Sequence, residues 1–162
     1  FELLSGIETN ASLAFNHNTT KITDQDLING IQPVSDSLVE DIENNYPENR
    51  WVLNTFTNIN DQLSFMARLN FYGEHYDERG TIGAESSPSA KIDSIVYMDV
   101  ELGYDVTDNF RLTAGGSNIF DTYVDEIDAP NANRMSVGLQ SPRRTAANYE
   151  GGSWYVRAQY DF

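Results

Sequence analysis

The sequence predicts an all-β fold, an antiparallel up-and-down meander of about six strands with long loops on one side. Three observations support this prediction. Apolar and polar residues alternate in each segment, as they do along a strand whose two faces meet different surroundings. The connections between the segments are alternately long and short. The last segment alternates up to the final residue, the aromatic Phe162.

The first three predicted strands cover about residues 6–19, 50–59 and 62–74. The first strand places its apolar residues on one face, and these include Ile7, Ala11, Leu13 and Phe15. The third strand repeats the pattern with Leu63, Phe65, Leu69 and Phe71. The second strand, which begins near Trp51, has the weakest alternation of the set.

The next three predicted strands cover about residues 92–106, 109–118 and 153–162. The terminal strand has the clearest pattern, since one of its faces carries Trp154, Val156, Ala158, Tyr160 and Phe162. Soluble domains usually end in loose, solvated residues. Strands of membrane barrels instead carry aromatic girdles at the membrane interface. The aromatic end therefore favours a strand anchored at such an interface.

Long connections are predicted at about residues 20–49, 75–91 and 119–152, and short ones near residues 59–61 and 107–108. All the long connections then lie at one end of the sheet, which is typical of outer-membrane barrels. The first long connection holds seven acidic residues and one basic residue, Lys21. The same connection is predicted to contain a short helix near residues 35–45. Val34, Leu38 and Ile42 recur at helical spacing, and Ser35 or Asp36 could cap the helix.

The composition excludes several classes of function. The chain has 25 acidic and 10 basic residues and a net charge of -15, which argues against a nucleic-acid partner. Without cysteine it forms no disulfide and no cysteine metal site. No serine lies in a Gly-x-Ser-x-Gly context. Asp99 and Glu101 share a strand face and could form a carboxylate pair, but a polar stripe is the favoured explanation. We expect no enzyme activity and no cofactor.

Residues 112–123 resemble the Gly-x-Asn-[Leu/Ile]-Phe-Asp segment near the C-terminus of TonB-dependent outer-membrane receptors. Asn118, Ile119, Phe120 and Asp121 carry the specific part of this resemblance, together with the final strand that ends at Phe162. The final strand departs from the usual pattern at Arg157, where such strands commonly have a glycine.

The resemblance implies a 22-stranded outer-membrane β-barrel of a Gram-negative bacterium, plugged by an N-terminal domain, of which this chain supplies about six strands. Residues 1–162 would be the C-terminal fragment, with the plug and the earlier strands outside the sequence. Such receptors import ferric siderophores, cobalamin or saccharides. Their implied partners are outer-membrane lipid, the barrel-assembly machinery, a small-molecule nutrient and, only through the plug, TonB.

Loop residues are the candidates for ligand binding. They are two tyrosines in or beside the long connections and three arginines in the last one, namely Tyr76, Tyr123, Arg134, Arg143 and Arg144. The arginine guanidinium groups could bind an anionic ligand or a lipopolysaccharide phosphate, or pair with loop carboxylates. Asp121, Asp125 and Asp128 are weak calcium candidates, since their spacing does not match a calcium-loop motif.

A different class of protein also fits the alternation. In a soluble secreted all-β module that binds a ligand or a carbohydrate, the polar face of each strand would meet bulk water. In a barrel the same face would line the lumen. The long loops on one side and the aromatic C-terminal residue favour the barrel. A barrel enzyme is the remote third alternative, because no catalytic site is identifiable.

Overall fold

The structure is a computed structural model that describes residues 2–4, 7–77, 90–125, 141–142 and 145–162. These residues form nine strands and one helix, with the bounds β1 Glu2–Leu4, β2 Ile7–His17, α1 Asp36–Asn44, β3 Asn49–Asn58, β4 Leu63–Tyr72, β5 His75–Asp77, β6 Ala90–Ile92, β7 Ile95–Thr107, β8 Phe110–Ser117 and β9 Ser153–Tyr160. Seven strands form an antiparallel sheet in the order β1-β2-β3-β4-β7-β8-β9, and β5 and β6 form a separate two-stranded sheet.

The predicted strands are confirmed as β2, β3, β4, β7, β8 and β9, and the predicted meander as their order in the sheet. Three further strands were not predicted. β1, β5 and β6 have three residues each, which is too short for an alternating pattern to be recognised. β1 pairs with β2 at the edge of the main sheet, whereas β5 pairs with β6 in the separate hairpin.

The strand register aligns the apolar residues in rows that cross the sheet. In one row Leu13, Leu53, Leu69 and Met98 are successive cross-strand partners. In the next row Phe15, Trp51, Phe71 and Val96 follow each other, and the rings of Phe15 and Trp51 lie 4.1 Å apart. Because a shift by one residue would turn every apolar side chain to the opposite face, the two-residue pattern specifies this register.

The apolar face of the main sheet is open to its surroundings. Leu13 is 62% exposed, Val156 68% and Trp154 83%. A soluble sandwich would cover such a face with a second sheet. In the described part of the chain the second sheet has only the short strands β5 and β6. Since burial of apolar area is worth roughly 25 cal/mol per Å², an apolar environment at this face would stabilise the sheet.

The connections confirm the predicted asymmetry. Residues 59–62 join β3 to β4 and residues 108–109 join β7 to β8 at one end of the sheet. In the first turn the Asn60 side-chain oxygen accepts the backbone N–H groups of Gln62 and Leu63, at 2.9 and 2.8 Å. The connections at the opposite end, after β2, β4 and β8, are all long. We call that end the loop end.

The predicted helix near residues 35–45 is confirmed as α1, in the connection between β2 and β3. Ser35 is its N-cap, and its hydroxyl accepts the Leu38 N–H at 3.3 Å. Asp36 lies in the first turn, where a negative charge stabilises the helix dipole. Among the described residues, no helix is long and apolar enough to cross a membrane.

The buried core of the described residues lies at the loop end, not in the middle of the sheet. Ile95 and Tyr97 of β7 pack with Val124 and Ala147, which come from the connection between β8 and β9. Tyr72 of β4 packs against this cluster. The connection therefore folds back against the sheet, and this contact creates a cavity on the polar face.

Candidate functional site

A cavity of about 200 Å³ opens on the polar face of the sheet near the loop end. Its walls come from β4, β7, β8, the start of β9 and the loop that covers them. The lining residues are Asn70, Tyr72, Tyr97, Asp99, Ser117, Asn118, Asn148, Glu150, Gly151 and Ser153. We call it the polar-face pocket.

Two tyrosines form one wall of the polar-face pocket. The rings of Tyr72 and Tyr97 meet edge to face, with their centroids 6.1 Å apart. The Arg50 guanidinium lies 4.8 Å above the Tyr72 ring, and its Nη2 donates to the Tyr72 hydroxyl at 3.2 Å. The Tyr97 hydroxyl donates to the Asn148 carbonyl at 2.8 Å. The wall is therefore held in place by a cation–π contact and by hydrogen bonds to strand and loop.

The polar groups inside this pocket include one amide and one carboxylate that a ligand could contact. The Asn70 side chain has no hydrogen-bond partner within the described residues. The Asp99 carboxylate accepts the Ser117 hydroxyl at 2.7 Å and the Asn118 N–H at 2.9 Å. It makes no ion pair with any described residue, so its negative charge remains in the pocket. The pocket can thus offer donors, acceptors and aromatic surface to a polar ligand.

The polar face continues away from the loop end as pairs of opposite charge. The Arg157 Nη2 donates to Glu101 at 3.0 Å, and the Tyr155 hydroxyl donates to the same carboxylate. Arg111 donates twice to Asp105, at 3.0 Å each. Asp99 and Glu101 thus have different hydrogen-bond partners.

The motif that resembles the receptor family forms the turn after β8. Asn118, with φ 47, accepts the Thr122 N–H at 3.0 Å through its side-chain oxygen and donates to the Thr122 carbonyl at 2.8 Å. Asp121, with φ 53, accepts the Gly152 N–H at 2.7 Å. A Cβ on Gly152 would lie 2.8 Å from the Asn118 carbonyl oxygen. These residues therefore connect the end of β8 to the start of β9.

The other two motif residues lie at the surface. Ile119 is 42% exposed and Phe120 68% exposed. The Ile119 N–H donates to the Met98 carbonyl at 2.9 Å, which continues the contact between β8 and β7 beyond the strand.

The structure separates the two tyrosines predicted as ligand residues. Tyr76 lies in β5 and is only 8% exposed. Tyr123 is 58% exposed, and a hydrogen bond from its hydroxyl to Asp121 raises its pKa above the usual value. Neither lines the polar-face pocket. Arg134, Arg143 and Arg144 lie outside the described residues, and the role of all five stays a prediction.

The predicted calcium ligands are only partly described. Asp121 Oδ1 accepts the Gly152 N–H, and Asp125 Oδ2 accepts the Asp93 N–H at 2.8 Å. Asp128 lies outside the described residues. Among those that are described, no three histidine, aspartate or glutamate side chains lie together as a metal site would require. The calcium site stays a prediction.

The histidines have different surroundings. His17 is exposed near the loop end, where its Nδ1 lies 3.0 Å from the Asn49 side-chain oxygen. His75 is 3% exposed, and its ring is hydrogen-bonded to the loop that follows residue 144. Its Nδ1 donates to the Gly73 carbonyl at 3.2 Å, and its Nε2 accepts the Ala146 N–H at the same distance. The contact of His75 with Ala146, 71 residues further along the chain, was not predicted from the sequence.

The terminal strand β9 covers Ser153–Tyr160, and Phe162 follows it. The side chains of Trp154, Val156, Tyr160 and Phe162 are all exposed on the apolar side. The Tyr160 and Phe162 rings meet at 5.1 Å, and Phe110 of β8 lies 6.5 Å from Tyr160. This aromatic group lies at the end of the sheet with the short turns, where the predicted interface girdle would be.

One antiparallel layer, an open apolar face, a charge-paired polar face and long loops at a single end define a section of a membrane β-barrel wall. Two solved receptor structures have this fold. One is the ferric-catecholate import receptor Fiu from E. coli K12, with 17% sequence identity and a TM-score of 0.61. The other is a point mutant of the ferric enterobactin receptor PfeA from Pseudomonas aeruginosa, with 19% identity and a TM-score of 0.55.

The similarity extends over nearly the whole chain but over a small part of each receptor. It covers 98% of this chain and 19% of the Fiu chain, and 99% of this chain and 20% of the PfeA chain. The predicted fold class and the resemblance to the barrel of such receptors are confirmed at the level of the fold. Neither the protein-family models nor the curated proteins give a match to the sequence.

Proposed function

We propose that this chain is the C-terminal part of the barrel of a TonB-dependent receptor in the outer membrane of a Gram-negative bacterium. The observation that carries the proposal is the open apolar face of a one-layer sheet whose long loops all lie at one end. In a membrane the lipid would cover that face, and the edge strands would pair with further strands of a closed barrel. Residues 1–162 supply wall and extracellular loops, and the barrel-assembly machinery inserts them.

The transported nutrient would belong to the ferric siderophore class, with cobalamin and saccharides as the alternatives. Support comes from both similar structures, one of a ferric-catecholate import receptor and the other of a ferric enterobactin receptor. The polar-face pocket supports transport of a polar ligand, because Asn70 and Asp99 retain hydrogen-bonding capacity toward the lumen side. Energy from TonB would reach the site through a plug domain elsewhere in the receptor.

Uptake by cells tests the proposal. The gene that contains this chain is deleted and restored in its host, and uptake of labelled ferric enterobactin, a ferric hydroxamate, cobalamin and maltotriose is measured. We expect one of these to depend on the gene and on a functional TonB. Equal uptake of all four with and without the gene, under iron and nutrient limitation, would contradict a transport role.

A pair of variants tests the polar-face pocket. Asn70→Leu removes the amide in the pocket, whereas Asn58→Leu makes the same change on the polar face near the short turns. We expect uptake to fall several-fold for the first variant and to stay unchanged for the second. If both variants transport normally while deletion abolishes uptake, the receptor function stands and the pocket has no part in it.

A further inference from the structure

We propose that His75 acts as a pH-sensitive latch, whose neutral ring holds residues 145–150 against the sheet and whose protonation releases them. We call these residues the latch loop. Asn148 and Glu150 of the latch loop line the polar-face pocket, so release of the loop would widen the entrance to that pocket. The consequence for nutrient uptake rests on the proposed transport function, whereas the latch itself does not.

The hydrogen bonds of His75 require a neutral ring. Its Nε2 accepts the Ala146 N–H at 3.2 Å, and because a backbone N–H can only donate, Nε2 must carry a lone pair. The proton of the neutral ring then lies on Nδ1, which donates to the Gly73 carbonyl at 3.2 Å. In an imidazolium ring both nitrogens are donors. Protonation would therefore turn Nε2 into a donor that faces the Ala146 N–H.

The burial of His75 opposes a positive charge on the ring as long as the latch loop is closed. The residue is 3% exposed, and Ile92, its cross-strand partner in β6, is completely buried. Moving a charge out of water costs far more than moving a neutral polar group. Once the loop opens, water reaches the ring, and an exposed histidine has a pKa of about 6.5. The closed loop is therefore stable above that pH and loses stability as the pH falls below it.

Thr145 would not restore the closed arrangement after protonation. Its Oγ1 lies 3.3 Å from His75 Nε2 and accepts the Ala147 N–H at 3.1 Å. If a protonated Nε2 donated to this oxygen, the partly buried Ala146 N–H would still lose its acceptor. A buried donor that is left without an acceptor costs its full desolvation penalty. Protonation would therefore weaken the closed loop in either arrangement.

Further contacts of the latch loop lie directly beside the polar-face pocket. Ala147 is 6% exposed and packs in the buried cluster that also contains Tyr97. The Tyr97 hydroxyl donates to the Asn148 carbonyl at 2.8 Å, and Tyr97 forms part of the pocket wall. Because Ala147 and Asn148 directly follow Ala146 in the chain, loss of the His75 contact would loosen them as well. Opening of the loop would then uncover Tyr97 and admit a ligand to the pocket.

Within the described residues, the charged groups on the elements around His75 are mostly negative. α1 packs against β5 and contributes Asp41, which is 3% exposed. In β6, Lys91 pairs with Tyr76, so it lies on the face opposite His75, and its Nζ is 2.8 Å from Glu74. The other acidic residues along these segments are Asp77 in β5, Asp93 after β6 and Glu150 in the latch loop. Negative surroundings favour a proton on the ring once water reaches it.

Hydrogen exchange in the purified full-length receptor in detergent tests the latch. Peptides that cover residues 145–152 and 59–63 are followed by mass spectrometry between about pH 8 and pH 5, and each rate is divided by that of the unfolded peptide at the same pH. We expect the opening constant of the latch loop to rise up to about tenfold for each pH unit below about 6.5. The turn at residues 59–63 lies at the opposite end of the sheet, so its exchange should stay unchanged.

Histidine variants identify the titrating group. His75→Gln offers Ala146 a side-chain oxygen that does not titrate, so the latch loop should stay closed at every pH. His75→Asn is too short to reach Ala146, so the loop should be open even at about pH 8. In both variants the exchange should no longer depend on pH, and either one that folds is sufficient. His17→Gln makes the same change at the exposed histidine and should keep the full pH dependence.

Three results would overturn the latch. They are a latch loop whose opening constant does not change with pH, an equal rise at residues 59–63, and pH dependence that persists in a folded His75 variant. The exchange is measured without a ligand, so it does not depend on transport. Uptake that does not depend on the gene would contradict the transport function alone, whereas exchange that does not depend on pH would contradict the latch alone.

Discussion

The ring of Tyr155 on β9 lies directly over Gly115 on β8, and its hydroxyl reaches Glu101 on β7. These three residues occupy one row of the sheet, since Glu101 pairs with Gly115 and Gly115 with Tyr155. A Cβ at position 115 would lie 2.6 Å from the Tyr155 ring. Because glycine has no side chain, the tyrosine side chain can cross β8. The contact attaches the edge strand β9 to β7, which lies two strands away.

Gly115→Ala should destabilise the sheet because its methyl group displaces the Tyr155 ring from Glu101. Overpacking of this kind costs about 1–3 kcal/mol. The measurement is the free energy of unfolding in detergent. In a Tyr155→Ala background the same alanine should cost almost nothing, because the ring that it meets is gone. Equal costs in both backgrounds would contradict the contact.

Asn118 should contribute to stability through the hydrogen bonds of its amide, and because asparagine tolerates a left-handed backbone better than alanine does. Asn118→Ala removes the hydrogen bonds to Thr122 and leaves a Cβ at φ 47, which together should cost about 3 kcal/mol. Asn118→Gly removes the same hydrogen bonds but relieves the strain of the left-handed backbone. It should therefore lower the free energy of unfolding by less than Asn118→Ala does. Proteolysis near residues 145–152 gives a second measure. If glycine destabilises more than alanine, the backbone argument fails.

A charged side chain should reduce folding of the receptor when it lies on the apolar face, but not when it lies on the polar face. Leu13 and Ser12 are neighbours on β2 and point to opposite faces, and both are exposed. Leu13→Arg places a charge toward lipid, which costs about 2–4 kcal/mol near the middle of a bilayer. The fraction of full-length receptor that folds in the outer membrane should fall for this variant and not for Ser12→Arg. The opposite ranking would mean that the faces are assigned the wrong way round.

Tyr123 should titrate above the usual pH range because its hydroxyl is hydrogen-bonded to Asp121, which raises its pKa. A pKa raised in the folded state stabilises the protein below the unfolded pKa of about 10, and this contribution is lost as pH rises through the folded pKa. Asp121→Asn should lower the pKa of Tyr123 toward that unfolded value. The test is the pH titration of the Tyr123 ring carbon by NMR, and an unchanged midpoint in the variant would refute the contact.

The strands could be predicted from the sequence because a two-residue period is a local property. Leu13, Leu69 and Val156 fall on one face through their spacing along single strands, wherever those strands pair. The helix α1 was predictable for a similar reason, since the Ser35 cap and its partner Leu38 are three residues apart. The alternation of long and short connections then specified the meander.

The sites depend on contacts between residues that are distant along the chain. His75 meets Ala146, Tyr97 meets Asn148, and a cavity at the loop end joins residues 18–21 to residues 73–74. No periodicity encodes such pairs, because they arise only when the loops fold back over the sheet. The short strands β5 and β6 were missed because three residues are too few for an alternating pattern to be recognised.

The sequence by itself determined which residues form the six long strands, which face of each of them is apolar and at which end the long loops lie. Only the tertiary structure decided which loop residues meet. It placed Asn118 and Asp121 at the junction of β8 and β9, buried Tyr76, and left Asn70 and Tyr46 facing cavities. The physical reason is the distance along the chain between the residues that interact. Alternation is a property of a single strand, whereas a cavity forms when long loops close and bring together residues that are far apart in the sequence.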